Sequence, residues 1–395
     1  MKNLAVYLLL FIVFSGFNPK NITSELNSEV YLKEIPFTFE YGIPIIKAKI
    51  NNKEFNFLFD TGMPTALSEN LVERLDLNAM NSKIGSDVNG NKQRESYVTL
   101  KKISVGGIDF ENIETLSVDL NSVFEIGCIN IDGVIGNNII QNGIWEIDYE
   151  RKLIKFTNDI DNFNIPSNAN KIYFKYNSRR NQLTPKIDIK INNKKLKGIL
   201  FDTGSTAGIK LPLKQFKKIH NLNQNIEYYG KASAALYGKG EDIQYIDSKI
   251  KTIEIDDLKL QNKIVTFYEN SPLIGNRFLK NYRIILNYEK SEIYMIEQND
   301  YSYTSLQNFG FRTSVIDNKN IVSILYKNSN AEQNGILLGD EVLEINDINI
   351  RYLIAEDACN FLFNNPLKDL KSMNLLILRG EERHSIVLET ETFIE

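Results

Sequence analysis

The sequence predicts an all-β body of two related lobes followed by a small α+β module, and three observations predict it. Asp-Thr-Gly occurs twice, at residues 60–62 and 202–204, each time directly behind an apolar β-type run, Phe57-Leu58-Phe59 and Ile199-Leu200-Phe201. Short apolar stretches separated by Gly, Asn and Asp turns fill residues 30–298 and leave little room for helix. Beyond about Asp300 the pattern changes to strands around Ala331-x-x-x-Gly335 and Gly339-Asp340 turns and one helical stretch. A given tripeptide is expected roughly 0.05 times in a chain of this length, so two copies behind matching apolar runs are a repeat and not an accident.

Taken in order, Met1-Lys2-Asn3 and the apolar run Leu4 to Phe14, ending in Ser15 and Gly16, read as a secretory signal at residues 1–16. The run is short for a bilayer span, and an uncleaved anchor is the alternative. No Cys follows it, so a lipoprotein anchor is not available. The expectation is an exported protein, periplasmic, at the cell surface or extracellular; whether a segment before Val30 is removed stays open.

The first lobe is expected over residues 30–158. Its strands are Phe37–Tyr41, Ile43–Ile50 and Phe55–Phe59, followed by a helical pattern over Ser68–Leu77. A turn at Asn89-Gly90, a strand Tyr97–Val105 and a turn at Gly106-Gly107 come next. Residues 158–170, rich in Asn and Asp, read as a linker. The second lobe, 171–298, repeats the order: strands Lys186–Ile191 and Leu196–Phe201, a helix near Leu213–His220, and a hairpin around Ala234–Gly240.

The repeat extends past the Asp loops. Ile135-Gly136 lies 76 residues after Asp60, counted to the Gly, and Ile274-Gly275 lies 73 after Asp202, so the period of 142 has the size of a lobe. Even the lead-in recurs, as Ile50-Asn51-Asn52-Lys53 and Ile191-Asn192-Asn193-Lys194.

Over about Glu34 to Glu297 this pattern resembles the aspartic proteases of the retropepsin and pepsin type. The resemblance implies Asp60 and Asp202 as the catalytic pair, with Thr61, Gly62, Thr203, Gly204 and Ser205 supporting it. It implies that the two Thr hydroxyls bond across the axis and that the apolar-Gly segments cross behind the loops. It makes Tyr97 and Tyr237 candidates for a flap over the substrate. One position departs: Met63 stands where such lobes carry Ser or Thr, which predicts that Asp60 is held differently from Asp202, beside Ser205.

Two carboxyls brought to one axis cannot both ionise, so one proton is retained between them. The ionised member can deprotonate a water for attack on a peptide carbonyl while the protonated member serves the oxyanion. With both Asp in one chain, a monomer suffices for the site.

Residues 305–395 resemble a PDZ domain, with Ala355–Phe363 as groove helix and Asn374–Leu378 and Ser385–Leu388 as closing strands. In that family the loop matching Phe309, Gly310 and Phe311 holds the carboxylate of a C-terminal peptide ligand. Asn308 replaces the loop's first Gly, and Asn tolerates the left-handed backbone this would require.

Composition narrows the chemistry further. The 395 residues carry a formal net charge of −4 with no basic run, which points away from nucleic acid. Two His, His220 and His384, and two Cys, Cys128 and Cys359, leave no material for a Cys/His zinc site, and neither a metal nor a cofactor is expected. The two Cys fall in different predicted domains, which favours two buried free thiols over a disulfide. The expected function is an exported aspartic endopeptidase acting on protein or peptide substrates, its PDZ domain recruiting or selecting them. The alternative is a catalytically inactive, protease-like scaffold acting through that domain.

Overall fold

The Asn-Asn lead-ins explain how each Asp loop is delivered. Asn51 and Asn52 have φ of 50° and 63°, and Asn192 and Asn193 have 46° and 69°. Two left-handed residues in a row make the tight hairpin turn that matches strand twist, and Asn tolerates that backbone. The turn folds Lys53–Phe59 back on Ile45–Ile50, and its counterpart folds Lys194–Phe201 back on Gln182–Ile191. In the computed structural model, which describes residues 7–9, 31–87, 89–178, 182–219, 224–231, 233–351, 353, 355–364 and 370–395, both strands end fully buried at Phe59 and Phe201.

The apolar-Gly segments then run parallel to these strands. Phe57–Phe59 pairs with Gly133–Ile135, and Leu200–Phe201 pairs with Leu273–Ile274. A third short strand, Ala66–Ser68 in the first half and Ile209–Pro212 in the second, packs antiparallel on the same segment. The predicted helices are shorter than their patterns, Glu69–Arg74 and Leu213–Phe216; Ser68 caps the first by accepting the Leu71 N–H.

The halves share one antiparallel sheet of six strands. Its order is Leu32–Thr38, Leu153–Thr157, Ile144–Asp148, Tyr282–Asn287, Glu292–Glu297 and Asn170–Asn177. The central pair sets Trp145 opposite Leu286, and a single hydrophobic cluster containing Phe59, Trp145, Phe201 and Leu286 runs through both halves. Trp145 stacks on Phe156 at 4.1 Å and donates its Nε1–H to the Ile140 carbonyl. Tyr301, between the predicted second lobe and the module, is also buried in this cluster, so the segment after Asp300 is docked.

Two hairpins project from the halves. The first joins Asn81–Ser86 to Lys92–Val105, with Asp87, Asn89, Gly90 and Asn91 at its tip; the second joins Ser233–Ala235 to Gly238–Lys239 through Leu236 and Tyr237. Tyr7–Leu9 runs parallel to Ser233–Ala235. The rest of the predicted signal segment lies outside the described residues. Among the described residues no helix is long and apolar enough to cross a membrane.

The C-terminal module has its own core, in which Val322, Ile336, Val342, Leu375 and Ile377 meet. Strands Phe311–Ile316, Lys319–Tyr326, Glu341–Ile345, Ser372–Arg379 and Glu382–Glu389 surround it with the helix Ala355–Asn364. The module is fastened on both sides. Lys319–Tyr326 pairs with Asn225–Gly230 of the second half, and Tyr228 stacks between Tyr245 at 5.0 Å and Tyr326 at 4.6 Å. Toward the first half, Phe363 meets Tyr41 edge-on at 4.6 Å, and Cys128 is bonded to Cys359. The expectation of two free thiols is therefore wrong. Assignment to different predicted domains argued for separation, but the helix Ala355–Asn364 docks on the first half and sets the two Cα atoms 5.5 Å apart, within disulfide reach.

Candidate active site

Asp60 and Asp202 sit at the ends of their buried strands, and each is anchored by the segment crossing behind it. The Asp60 N–H donates to Ile135 O at 3.0 Å and the Asp202 N–H to Ile274 O at 3.0 Å. The loops interlock through the Thr pair. The Thr61 N–H donates to Thr203 Oγ1 and the Thr203 N–H to Thr61 Oγ1, both at 3.1 Å. The two hydroxyls continue across, Thr61 Oγ1 to Phe201 O at 2.6 Å and Thr203 Oγ1 to Phe59 O at 2.9 Å. Four bonds between buried groups thus hold residues 140 to 144 apart in sequence in one geometry.

The glycines show how closely the carboxyls meet. A Cβ on Gly204 would lie 2.1 Å from Asp60 Oδ2, and one on Gly62 would lie 2.8 Å from Asp202 Oδ1. The space a side chain would take in each loop is filled by the other half's carboxyl. Each Gly also donates its N–H to its own Asp, Gly62 to Asp60 Oδ1 at 2.5 Å and Gly204 to Asp202 Oδ1 at 3.0 Å. Oδ2 of both carboxyls is buried, and the two carboxyls lie within hydrogen-bonding reach of one another.

Both groups are fully shielded from solvent, and burial is the chief cause that pushes both above the ordinary carboxyl range. The neighbouring Asp202 charge raises Asp60 further, against the lowering effect of the Gly62 N–H. A pair so placed holds on to one proton where separate carboxyls would both be ionised.

The predicted asymmetry from Met63 takes a different form. Ser205 Oγ accepts the Ala207 N–H at 3.1 Å, while it is the Ser205 backbone N–H that serves Asp202. Met63 is wholly buried in a cluster with Ile43, Leu58, Tyr97, Leu116 and Leu236, so its side chain is packing material.

A further layer went unread in the sequence. Asn276 Nδ2 donates to Thr203 O at 2.7 Å and is itself held by the Tyr149 hydroxyl at 2.8 Å. On the other side Thr184 Oγ1 donates to Gly62 O at 2.9 Å, and Asn137 Nδ2 reaches Thr184 Oγ1 at 3.2 Å. The repeat did contain the signal: an Asn follows the Gly of both apolar-Gly segments, at 137 and 276.

The two flap candidates are placed differently. Tyr97 is fully buried within a long strand, opposite Leu116, with Lys83 Nζ 4.7 Å from its ring centre. Tyr237 stands at the tip of the second hairpin. In the C-terminal module the left-handed residue of the 308–311 loop is Gly310, with φ of 82°, and not Asn308. Asn308 caps the loop instead, taking the Gly310 N–H on Oδ1 at 2.7 Å, so that N–H is already engaged. His384 lies on the strand Glu382–Glu389 of the module. Among the described residues no group of three or more His, Cys, Asp or Glu is gathered as a metal would require.

Residues 46–139 match the family model for aspartyl protease, a stretch that includes the first Asp loop and the apolar-Gly segment behind it. This part of the chain is an aspartyl protease-like domain, and the match associates it with peptidases. No curated protein matches the chain.

Proposed function

We propose that the chain is an aspartic endopeptidase of two lobes, with Asp60 and Asp202 as its catalytic pair. The observation that carries the reading is the close approach at the loops: each Asp carboxyl lies too near the other loop's Gly for a Cβ to fit, at 2.1 Å for Gly204 and 2.8 Å for Gly62. Two carboxyls this close, buried and pushed upward, retain one proton, and a water held against them would have both carboxyls as partners. The ionised member removes a proton from that water as it attacks the scissile carbonyl. The protonated member donates to the oxygen on which charge develops. Thr61 and Thr203 keep the two loops in register, and Asn276 and Thr184 fix the carbonyls behind them. One chain supplies the whole site.

Residues 305–395 are proposed as a PDZ domain that recruits or selects substrate, on the support of a strand, helix and strand order around a separate core. Export fits the N-terminal sequence and the Cys128–Cys359 bond, since disulfides persist in oxidising compartments.

The test is cleavage of a peptide library by the purified full chain from acid to neutral pH, beside Asp60→Asn and Asp202→Asn. Each substitution should abolish cleavage while the fold survives, and a pepstatin-type inhibitor should raise the melting temperature of the wild type. Cleavage that persists in both variants overturns the assignment. Absence of cleavage with no inhibitor shift leaves the scaffold reading in its place.

A further inference from the structure

Asp87 has no part in the catalytic pair, yet it is only 3% exposed and four donors converge on its carboxylate. Oδ1 accepts the backbone N–H groups of Asn89 at 3.0 Å and Asn91 at 2.9 Å, both within its own turn. Oδ2 accepts Asn91 Nδ2 at 3.1 Å and the backbone N–H of Tyr237 at 3.1 Å, from the tip of the second hairpin. Further contacts surround this meeting of the tips. Asn89 and Asn91 both direct Nδ2 at the Gly238 carbonyl, each at 3.4 Å, and a Cβ on Gly240 would lie 3.1 Å from Asn89 Cβ. Just behind the contact, Leu236 is buried in the cluster that holds Met63, and the Tyr237 hydroxyl faces the Glu95 carboxyl.

We infer that Asp87 is a latch. It is a positioning residue that clamps the tip of the second hairpin to the first half and so seats Leu236 in the cluster of Met63, the residue after the first Asp-Thr-Gly. The two oxygens differ in what they hold: Oδ1 takes only the Asn89 and Asn91 N–H groups, and Oδ2 takes the Asn91 side-chain amide together with the Tyr237 N–H of the opposite hairpin. Because Asp60 and Asp202 are fully shielded, an extended peptide reaches them only when a path opens, and parting the two tips breaks the Oδ2 bond to Tyr237. The consequence for turnover rests on the proposed peptidase activity; the latch itself does not.

The division of labour makes the inference testable. Asp87→Asn keeps an oxygen for the Asn89 and Asn91 N–H groups but sets an NH2 against the Tyr237 N–H, donor against donor. Asp87→Ala removes both functions. Hydrogen exchange on the full chain, without substrate, should show amides 236–238 exchanging about tenfold or more faster in both variants, as loss of a charge-assisted bond implies. Amides 89–91 should loosen only in Asp87→Ala. If 236–238 stay at the wild-type rate in Asp87→Asn, Asp87 merely forms its turn and the latch is wrong. Should Asp87→Ala fail to fold, the Asn variant decides alone. The exchange readout needs no cleavage, so it stands even if the peptidase reading falls. With a cleaved peptide in hand, Asp87→Asn should raise KM about tenfold and leave kcat within about twofold, because the hairpin holds substrate and does no chemistry; a loss of kcat alone counts against it.

Discussion

Gly204→Ala tests the geometry of the proposed site with a single methyl group. The added Cβ would stand 2.1 Å from Asp60 Oδ2, whereas ordinary contact begins at 3.4 Å, so the carboxyl must retreat by about 1.3 Å, the difference of the two. Gly62→Ala places its Cβ 2.8 Å from Asp202 Oδ1, which requires about 0.6 Å. Neither glycine has a positive φ, so bulk and not backbone strain is tested. Misplacing a reacting group by about 1 Å is worth about 100-fold in rate. Gly204→Ala should therefore lower kcat by at least about 100-fold, about 2.7 kcal/mol of barrier. Gly62→Ala should lower it by about tenfold on the same scale. Gly127→Ala, whose Cβ meets nothing nearer than 3.6 Å, is the control. The assay is steady-state cleavage of one peptide by the four proteins, with melting temperatures to show that each is folded. A Gly204→Ala enzyme within threefold of wild type, or a Gly62→Ala enzyme hit harder than Gly204→Ala, would refute the geometry.

Three further predictions follow from groups described above. Asp60, Asp202 and Glu95 all have folded pKa values above their ordinary range, Glu95 at about 7, chiefly through burial. Groups shifted upward favour the fold at low pH and lose that contribution as pH rises through the folded value. The melting temperature should thus fall from about pH 4.5 to about pH 7 more steeply in the wild type than in Glu95→Gln; equal slopes would contradict the shift. Thr61→Val strands the Thr203 N–H and the Phe201 carbonyl, both buried, and should cost about 2–5 kcal/mol in urea unfolding. Replacing Cys128 and Cys359 together by Ser removes a cross-link spanning 231 residues, worth up to about 5 kcal/mol in the chain-entropy account. Two thiols titrating in denatured, unreduced wild type would show that the link does not form.

What was legible in the sequence was local or repeated. Asp60 and Asp202 each stand directly behind their own strand, and the 142-residue echo pairs them without knowledge of the fold. The Asn-Asn turns and apolar-Gly segments were visible for the same reason. What escaped depends on packing between distant segments. Cys128 and Cys359 are brought together by the docking of a helix whose partner surface leaves no mark near either residue. Asp87 reads as an ordinary turn aspartate until the tip of the second hairpin arrives at it. Tyr97 and Tyr237 are equivalent in a sequence scan, because an aromatic in a β-like run carries no label for core or tip. Ser205 followed the resemblance in type but not in partner, since its hydroxyl takes the Ala207 N–H.

The double attachment of the C-terminal module bears on any attempt to study the body without it. A chain ended near residue 300 would strip Lys319–Tyr326 from Asn225–Gly230, laying open a row of main-chain donors and acceptors and the face of Tyr228. It would also leave the sulfur of Cys128 unmated. Bare strand borders recruit one another, and orphaned thiols join in pairs. The shortened protein is therefore prone to couple with its own copies, and its size in solution should be measured before any loss of activity is ascribed to missing substrate capture.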